Sequence, residues 1–416
     1  MEQRQNLERS KELFRQGLEI VPGGVIGVRR PAHFVPNEYP IFLESGEDGT
    51  VIDVDGNSYI DLMATYGAVV LGHRYKDVDD AAVDYIRNNG CGTTLTHPIQ
   101  NELAGLLVKH IPCCDKALTV KTGSDGTMAA VRIARAYTGR NKILRCGYHG
   151  WHDWCVEVKS GVPESAYEDV LEFRYNDLDH VRDLLKAHGD EVAGIILWPI
   201  HTPLGGYLEE PKTGFLEGLR ELADRYGSIL IFDELRTGFR VGLGGAQGLY
   251  GVMPDVSVIG KAMGNGYPIA AIVGRSEVMK VLDNKVFLSS TYFSDPVAQS
   301  AAVKTIQVLE SENVLEKLKK KGEQFATRVQ KIIEESHVGC SFSGGPWFPH
   351  FLFTESSKKL NLKIRLSFYT QLIRSGVFLS PYHHGFFMSV HSESDLNYIE
   401  KSVGHALAVV NDKYYG

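Results

Sequence analysis

What this chain lacks narrows its function before any motif is read. No apolar run approaches the length of a membrane span, and the opening "MEQRQNLERSKELFRQ" carries charge where a secretory leader is apolar, so the sequence predicts a cytoplasmic protein. Positive charge is not in excess. Lys and Arg number 44 against 51 Asp and Glu, and a formal net charge of -7 argues against nucleic acid or an anionic membrane as the main partner. The six cysteines, Cys91, Cys113, Cys114, Cys146, Cys155 and Cys340, form no CxxC pair, and neighbouring Cys113 and Cys114 are badly spaced for a disulfide. Reduced, structural thiols are the expectation. No Gly-Lys-Ser/Thr closes a Walker loop, no clean G-x-G-x-x-G follows a strand and no HExxH appears. The spacing His149-x-x-His152 brings no further ligands with it, so no metal is expected.

What is present is a chain of 416 residues, long enough for a large core and a smaller appendage. "NLERSKELFRQGLEIVPGG" reads as an amphipathic helix closed by a Pro-Gly-Gly turn, and "TVIDVDGNSYIDLM" as two strands about an Asp55-Gly56 hairpin. From about residue 100 the rhythm changes. Apolar runs "KALTV", "NKILRC", "VAGIIL", "GSILIFD", "VSVIG" and "YPIAAIVG" alternate with helical stretches such as "GFLEGLRELADRYG", the mark of a mostly parallel sheet covered on both faces. A long helical stretch begins after residue 295, followed by a few strand-like runs such as "GVFLSP" and a last helix. The expected organisation is α/β: a segment 1–60 packing with a small domain, a large doubly wound domain 61–295 and a small α+β domain 296–416.

In open α/β sheets ligands gather at the carboxyl ends of the strands, so the residues just past each apolar run carry the functional signal. After "ALTV" comes "KTGSDGT". It is either an anion site at a helix N-terminus or an ordinary turn capped by Ser124 or Asp125. After "NKILRC" comes "YHGWHDW", an aromatic and imidazole cluster on which a flat ring could stack, or aromatic packing beneath a loop. Asp233 and Glu234 come after "GSILIF", where a carboxylate needs a cationic partner if it is buried and otherwise reads as a loop acid. Lys261 ends "VSVIG", and a buried amine there either strains the fold or does chemistry. Together, an anion cradle, a stacking surface, a strand-end acid and an amine at one sheet edge match the needs of pyridoxal 5′-phosphate.

These segments resemble the class III aminotransferases, fold-type I pyridoxal-phosphate enzymes, and among them the glutamate-1-semialdehyde aminomutase group. The likeness runs from "VPGGV" through "DVDGNSYIDL", "GSDGTMAAVRIARAYTGR", "YHG" and "ILIFDELRTGFRVG" to "GKAMGNGYPIAAIVG" and "STYFSDPVA". It implies that Lys261 is the Schiff-base lysine and proton shuttle and that Asp233 pairs with the ring nitrogen. It further implies phosphate contacts from Gly123 and Ser124, stacking by Tyr148 with His149 beside it, and Leu235 on the opposite face. Thr291 would reach the phosphate of a neighbouring subunit, which implies a homodimer with cofactor sites at the interface. Arg30, or Arg29 one residue earlier, stands where the aminomutase group binds a substrate carboxylate.

Four departures separate the chain from that group. Ile26-Gly27-Val28 replaces Asn-Ser-Pro, Trp198-Pro199 replaces Glu-Pro, an asparagine is lost in "HTPLGG", and "GVFLSPYHHGFFMSVH" lacks the gating glutamate and is shorter. Tyr66, Trp198, His201, His383 and His384 suggest instead a polar, aromatic-walled substrate pocket. The expected function is amino transfer from an amino-acid donor to a small carbonyl acceptor. The alternative is an intramolecular aminomutase, and a dinucleotide oxidoreductase is disfavoured by the missing glycine fingerprint.

Overall fold

The computed structural model describes residues 5–26, 31–203, 207–355 and 357–416. Arg29 and Arg30, with Gly27 and Val28, lie outside the described residues. Contacts divide the chain into two units, Met1–Tyr75 with Leu204–Tyr207 and Lys317–Gly416, and Lys76–Pro203 with Leu208–Glu316.

The first unit opens with the helix Glu8–Ile20. Strands Leu43–Glu47, Thr50–Asp53 and Ser58–Asp61 form an antiparallel meander, joined by Val377–Phe378 in parallel with the last of them. The Asp55-Gly56 turn is fixed by buried Asp53, whose carboxylate accepts from the Asp55 and Asn57 N–H groups and the Tyr59 hydroxyl. A second hairpin, Cys340–Ser343 with His350–Phe353, and helices Lys358–Arg374 and Glu393–Tyr414 complete the unit. The boundary falls at Tyr75 instead of residue 60 because the strand-end acid Asp61 ties the succeeding loop to the meander. It accepts from the Met63 and Ala64 N–H groups and meets His73 Nε2 at 2.8 Å.

The second unit is built on seven strands: β1 (Lys116–Val120), β2 (Lys142–Cys146), β3 (Val170–Glu172), β4 (Val192–Leu197), β5 (Ile229–Asp233), β6 (Val256–Gly260) and β7 (Ala270–Gly274). Their spatial order is β1-β7-β6-β5-β4-β2-β3. The pairs from β3 through β6 are parallel, whereas β7 runs antiparallel to both β6 and β1. Strands β4 to β7 are buried at every position, which explains why their sequences are continuous apolar runs without alternation. The helix Gly123–Thr138 packs on one face with Ala129, Ala130, Val131, Ile133 and Ala134 in its core, and Phe215–Tyr226 packs on the other with Leu219 and Ala223. The long helical stretch breaks at Asn313, which has a left-handed φ of 50°, into Pro296–Ser311 and Val314–Glu335. The first of these lies against the helices Lys76–Asn89 and Ile99–His110, so residues 296–316 belong to this unit and not to the small one.

Parallel register does the essential positioning. Leu197 pairs with Phe232 and Asp233 with Val258, so the residues ending β4, β5 and β6 emerge side by side.

Candidate active site at the carboxyl ends of the parallel strands

Asp233, the last residue of β5, is 2 % exposed. A carboxylate so deep needs donors, and the sheet edge provides three. His149 Nδ1 meets Oδ2 at 2.8 Å, the Trp198 indole Nε1 donates to the same oxygen at 3.1 Å, and the Leu235 N–H donates to Oδ1 at 3.2 Å. The other His149 ring nitrogen faces the Cys146 carbonyl at 3.1 Å, so both nitrogens have an acceptor. The imidazole stacks on Trp154 with ring centroids 6.2 Å apart and planes 6° from parallel. His149 is therefore a partner of Asp233, where the sequence had placed it beside a stacked ring. Tyr148, one residue earlier, is 37 % exposed.

The turn "KTGSDGT" opens the helix Gly123–Thr138. Its N-cap is Thr122, ahead of both Ser124 and Asp125. Thr122 Oγ1 accepts from the Asp125 N–H, and the Asp125 carboxylate accepts from the Thr122 N–H, a reciprocal capping box. That cap leaves the N–H groups of Gly123 and Ser124 as the first open donors of a sixteen-residue helix, where the helix dipole favours an anion. The neighbouring loop is bound to the same turn, because Thr127 Oγ1 donates to the His149 carbonyl at 2.6 Å. Gly150, at φ +117°, lets the loop pass. A Cβ there would lie 2.4 Å from Ser124 Oγ. Leu235 fills the remaining floor, and a Cβ on Gly123 would come within 2.3 Å of it.

Lys261 comes directly after β6 and holds a left-handed φ of 50°, a conformation costly for any residue with a Cβ. Its amine is pushed down to about 7, first by burial, then by repulsion from Arg236 and Arg240, with Asp233 pulling the other way. An amine uncharged near neutral pH is a nucleophile and a base.

Both arginines escaped the sequence reading, although "ELRTGFRVG" places two cations directly behind a strand-end acid. Arg236 Nη1 donates to the Thr202 carbonyl at 2.8 Å and to its hydroxyl, and its guanidinium lies 4.3 Å from the Trp198 ring centroid. Burial lowers both, Arg236 to about 10 and Arg240 to about 9. Glu234, fully buried, turns away from Asp233 as the pleat requires, and its carboxylate accepts from Thr237, Ala246 and Gln247. Burial raises its proton affinity. His201, stacked on Tyr175 at 4.8 Å, is pushed down to about 4 by burial and by Arg236 and His149.

Of the other candidates, Thr291 is exposed on the second unit, beside Tyr292. Tyr66 and His383 meet edge-on in the first unit, ring centroids 5.1 Å apart, with His384 adjoining. Among the described residues no group of three or more His, Cys, Asp or Glu side chains could hold a metal ion, and no helix is long and apolar enough to cross a membrane.

Comparison with known proteins decides among the chemistries open to such a site. The family Aminotransferase class-III matches residues 34–384. The chain belongs to the class III aminotransferases. It is 51 % identical to a 3-aminobutyryl-CoA aminotransferase of Cloacimonas acidaminovorans (strain Evry), with 99 % of each chain covered. A glutamate-1-semialdehyde 2,1-aminomutase of Bacillus subtilis (strain 168) is 34 % identical, over 94 % of this chain and 95 % of that one. The pyridoxal-phosphate internal aldimine form of the FumI protein of Sphingopyxis sp. MTA144 superposes with a TM-score of 0.93 at 27 % identity, over 98 % and 97 % of the two chains.

The enzyme is a pyridoxal-phosphate-dependent aminotransferase of the α/β fold common to that family. The residues present suit the cofactor. The open N–H groups of Gly123 and Ser124 suit a phosphate, Asp233 keeps one oxygen with only a long backbone donor, and Lys261 offers a depressed amine.

Proposed function

We propose that this aminotransferase takes the amino group of a 3-aminoacyl thioester and passes it to a 2-oxo acid, with Lys261 binding the cofactor as a Schiff base. The observation that carries the catalytic assignment is the Lys261 amine, pushed to about 7 at the end of β6 with Asp233 within its electrostatic reach. The thioester comes from the 51 % identity to an enzyme named for 3-aminobutyryl-CoA. Pyridoxal phosphate supplies the electron sink that loosens the proton on the amine-bearing carbon. Lys261 Nζ would take up that proton and return it two atoms along, on the far side of the nitrogen, from a backbone held at a left-handed φ of 50°. Asp233, fixed by His149 and Trp198, keeps a proton on the ring nitrogen, while Gly123 and Ser124 hold the phosphate. Tyr148 and Leu235 flank the ring, with His149 behind Asp233, and Arg30, Tyr66 and His383 remain the substrate candidates offered by the sequence. Removing nitrogen from a 3-aminoacyl thioester leaves a 3-oxoacyl thioester.

Supporting a homodimer, Thr291 stands on an open groove with Leu95, 80 % exposed, and Tyr292, 69 % exposed; Phe287, 83 % exposed, lies four residues before Thr291. Apolar surface of that kind calls for a covering partner. The six cysteines are all unpaired, which accords with a reducing, cytoplasmic setting.

The test supplies holoenzyme with nitrogen-15 3-aminobutyryl-CoA and 2-oxoglutarate. Label appearing in glutamate, with acetoacetyl-CoA formed, is the expected result. Label kept within one carbon skeleton without use of the acceptor would show the aminomutase instead.

A further inference from the structure

We propose that Trp198 is a positioning residue whose indole N–H sets the orientation of Asp233. The proposal rests on the reading of Asp233 as the partner of the ring nitrogen. Parallel pairing of Leu197 with Phe232 brings residue 198 beside residue 233, although 35 positions separate them in the chain. The indole is 5 % exposed, and its Nε1 donates to Asp233 Oδ2 at 3.1 Å. His149 Nδ1 meets that same oxygen. Two ring nitrogens converging on one oxygen fix the rotation of the carboxylate and leave Oδ1 with the Leu235 N–H, at 3.2 Å, as its donor.

The indole itself is held on every side. Arg236 lies over its ring at 4.3 Å, and that guanidinium is tethered in turn to Thr202. His149 meets the ring nearly edge-on, at centroids 6.0 Å apart. Gly147 passes so close that a Cβ there would come within 3.1 Å of the indole. Packing thus holds the donor in place before any ligand arrives. A glutamate at this position, as in the resembled family, would set a second carboxylate where this chain supplies a donor.

Trp198→Phe removes the N–H and keeps a ring beneath Arg236. We expect kcat to fall roughly tenfold to a hundredfold, with KM for the amino donor little changed, since a hydrogen bond to a charged group is lost while a buried ring is kept in place. A second readout needs neither cofactor nor turnover. The chain has four tryptophans, so in nitrogen-15-labelled apoprotein the Trp198 indole signal is identified by its loss in Trp198→Phe. Asp233→Asn should move that signal upfield, because a neutral amide is the weaker acceptor.

An unmoved indole signal overturns the contact, and a Trp198→Phe enzyme with the kcat of the parent overturns its role. Failure of the Asp233 reading looks different. Asp233→Asn would then turn over like the parent while the indole signal still shifted.

Discussion

The carboxyl ends of β4, β5 and β6 and the surface segment around Thr291 belong to one unit, yet they solve opposite problems. At the strand ends, His149, Trp198 and Asp233 are nearly sealed from water, and each polar atom named there meets a partner. Around Thr291, the large side chains of Leu95, Phe287 and Tyr292 lie bare. The first region is complete within one chain. The second leaves its apolar side chains open to solvent in a single chain. A buried polar cluster must be satisfied internally because water cannot reach it, whereas exposed apolar surface can wait for a second molecule.

The largest effect should come from the first region. Lys261→Ala should abolish turnover and covalent attachment of the cofactor, while the phosphate donors at Gly123 and Ser124 still allow it to bind. Borohydride treatment followed by peptide mapping reads this directly, and label found on another lysine would end the assignment. Next comes the second region. Tyr292→Asp places charge in the bare apolar surface and should weaken self-association by roughly tenfold or more, as loss of an aromatic anchor does. Sedimentation across a dilution series measures it, and unchanged association would remove this face from the interface.

A third effect is a dependence on pH. The Lys261 amine titrates at about 7 in the folded chain and near 10.5 unfolded, so between those values the unfolded chain binds the extra proton. Stability of the apoprotein should therefore climb with pH through that window. Lys261→Met lacks the group. The melting temperature of the parent, taken relative to that variant, should rise from pH 7 to pH 10, and a flat difference would contradict the depressed amine.

Much of this was legible beforehand. The runs "VAGIIL", "ILIFD" and "VSVIG" announced central strands because burial on both faces removes polar alternation, and Asp233 and Lys261 stood out as charges ending such runs. Strand β3 escaped because three edge residues, two half-buried and one exposed, leave no periodicity to read. The direction of β7 escaped because an apolar run looks the same both ways. The contact between Trp198 and Asp233 needed the pairing register, which no local pattern encodes. His149 seemed a ring neighbour because its sequence position is right for one, and only the strand ends show it turned toward the acid.

Lys261 also carries a history. At φ 50° glycine would fold more comfortably than any residue with a side chain, so folding by itself argues for losing this lysine. On the proposed mechanism it is the reaction that keeps it. In a descendant freed from catalysis, drift to glycine at this position would be rewarded with a sturdier protein, and the first trace of lost activity would be written there, ahead of any decay in the surrounding core.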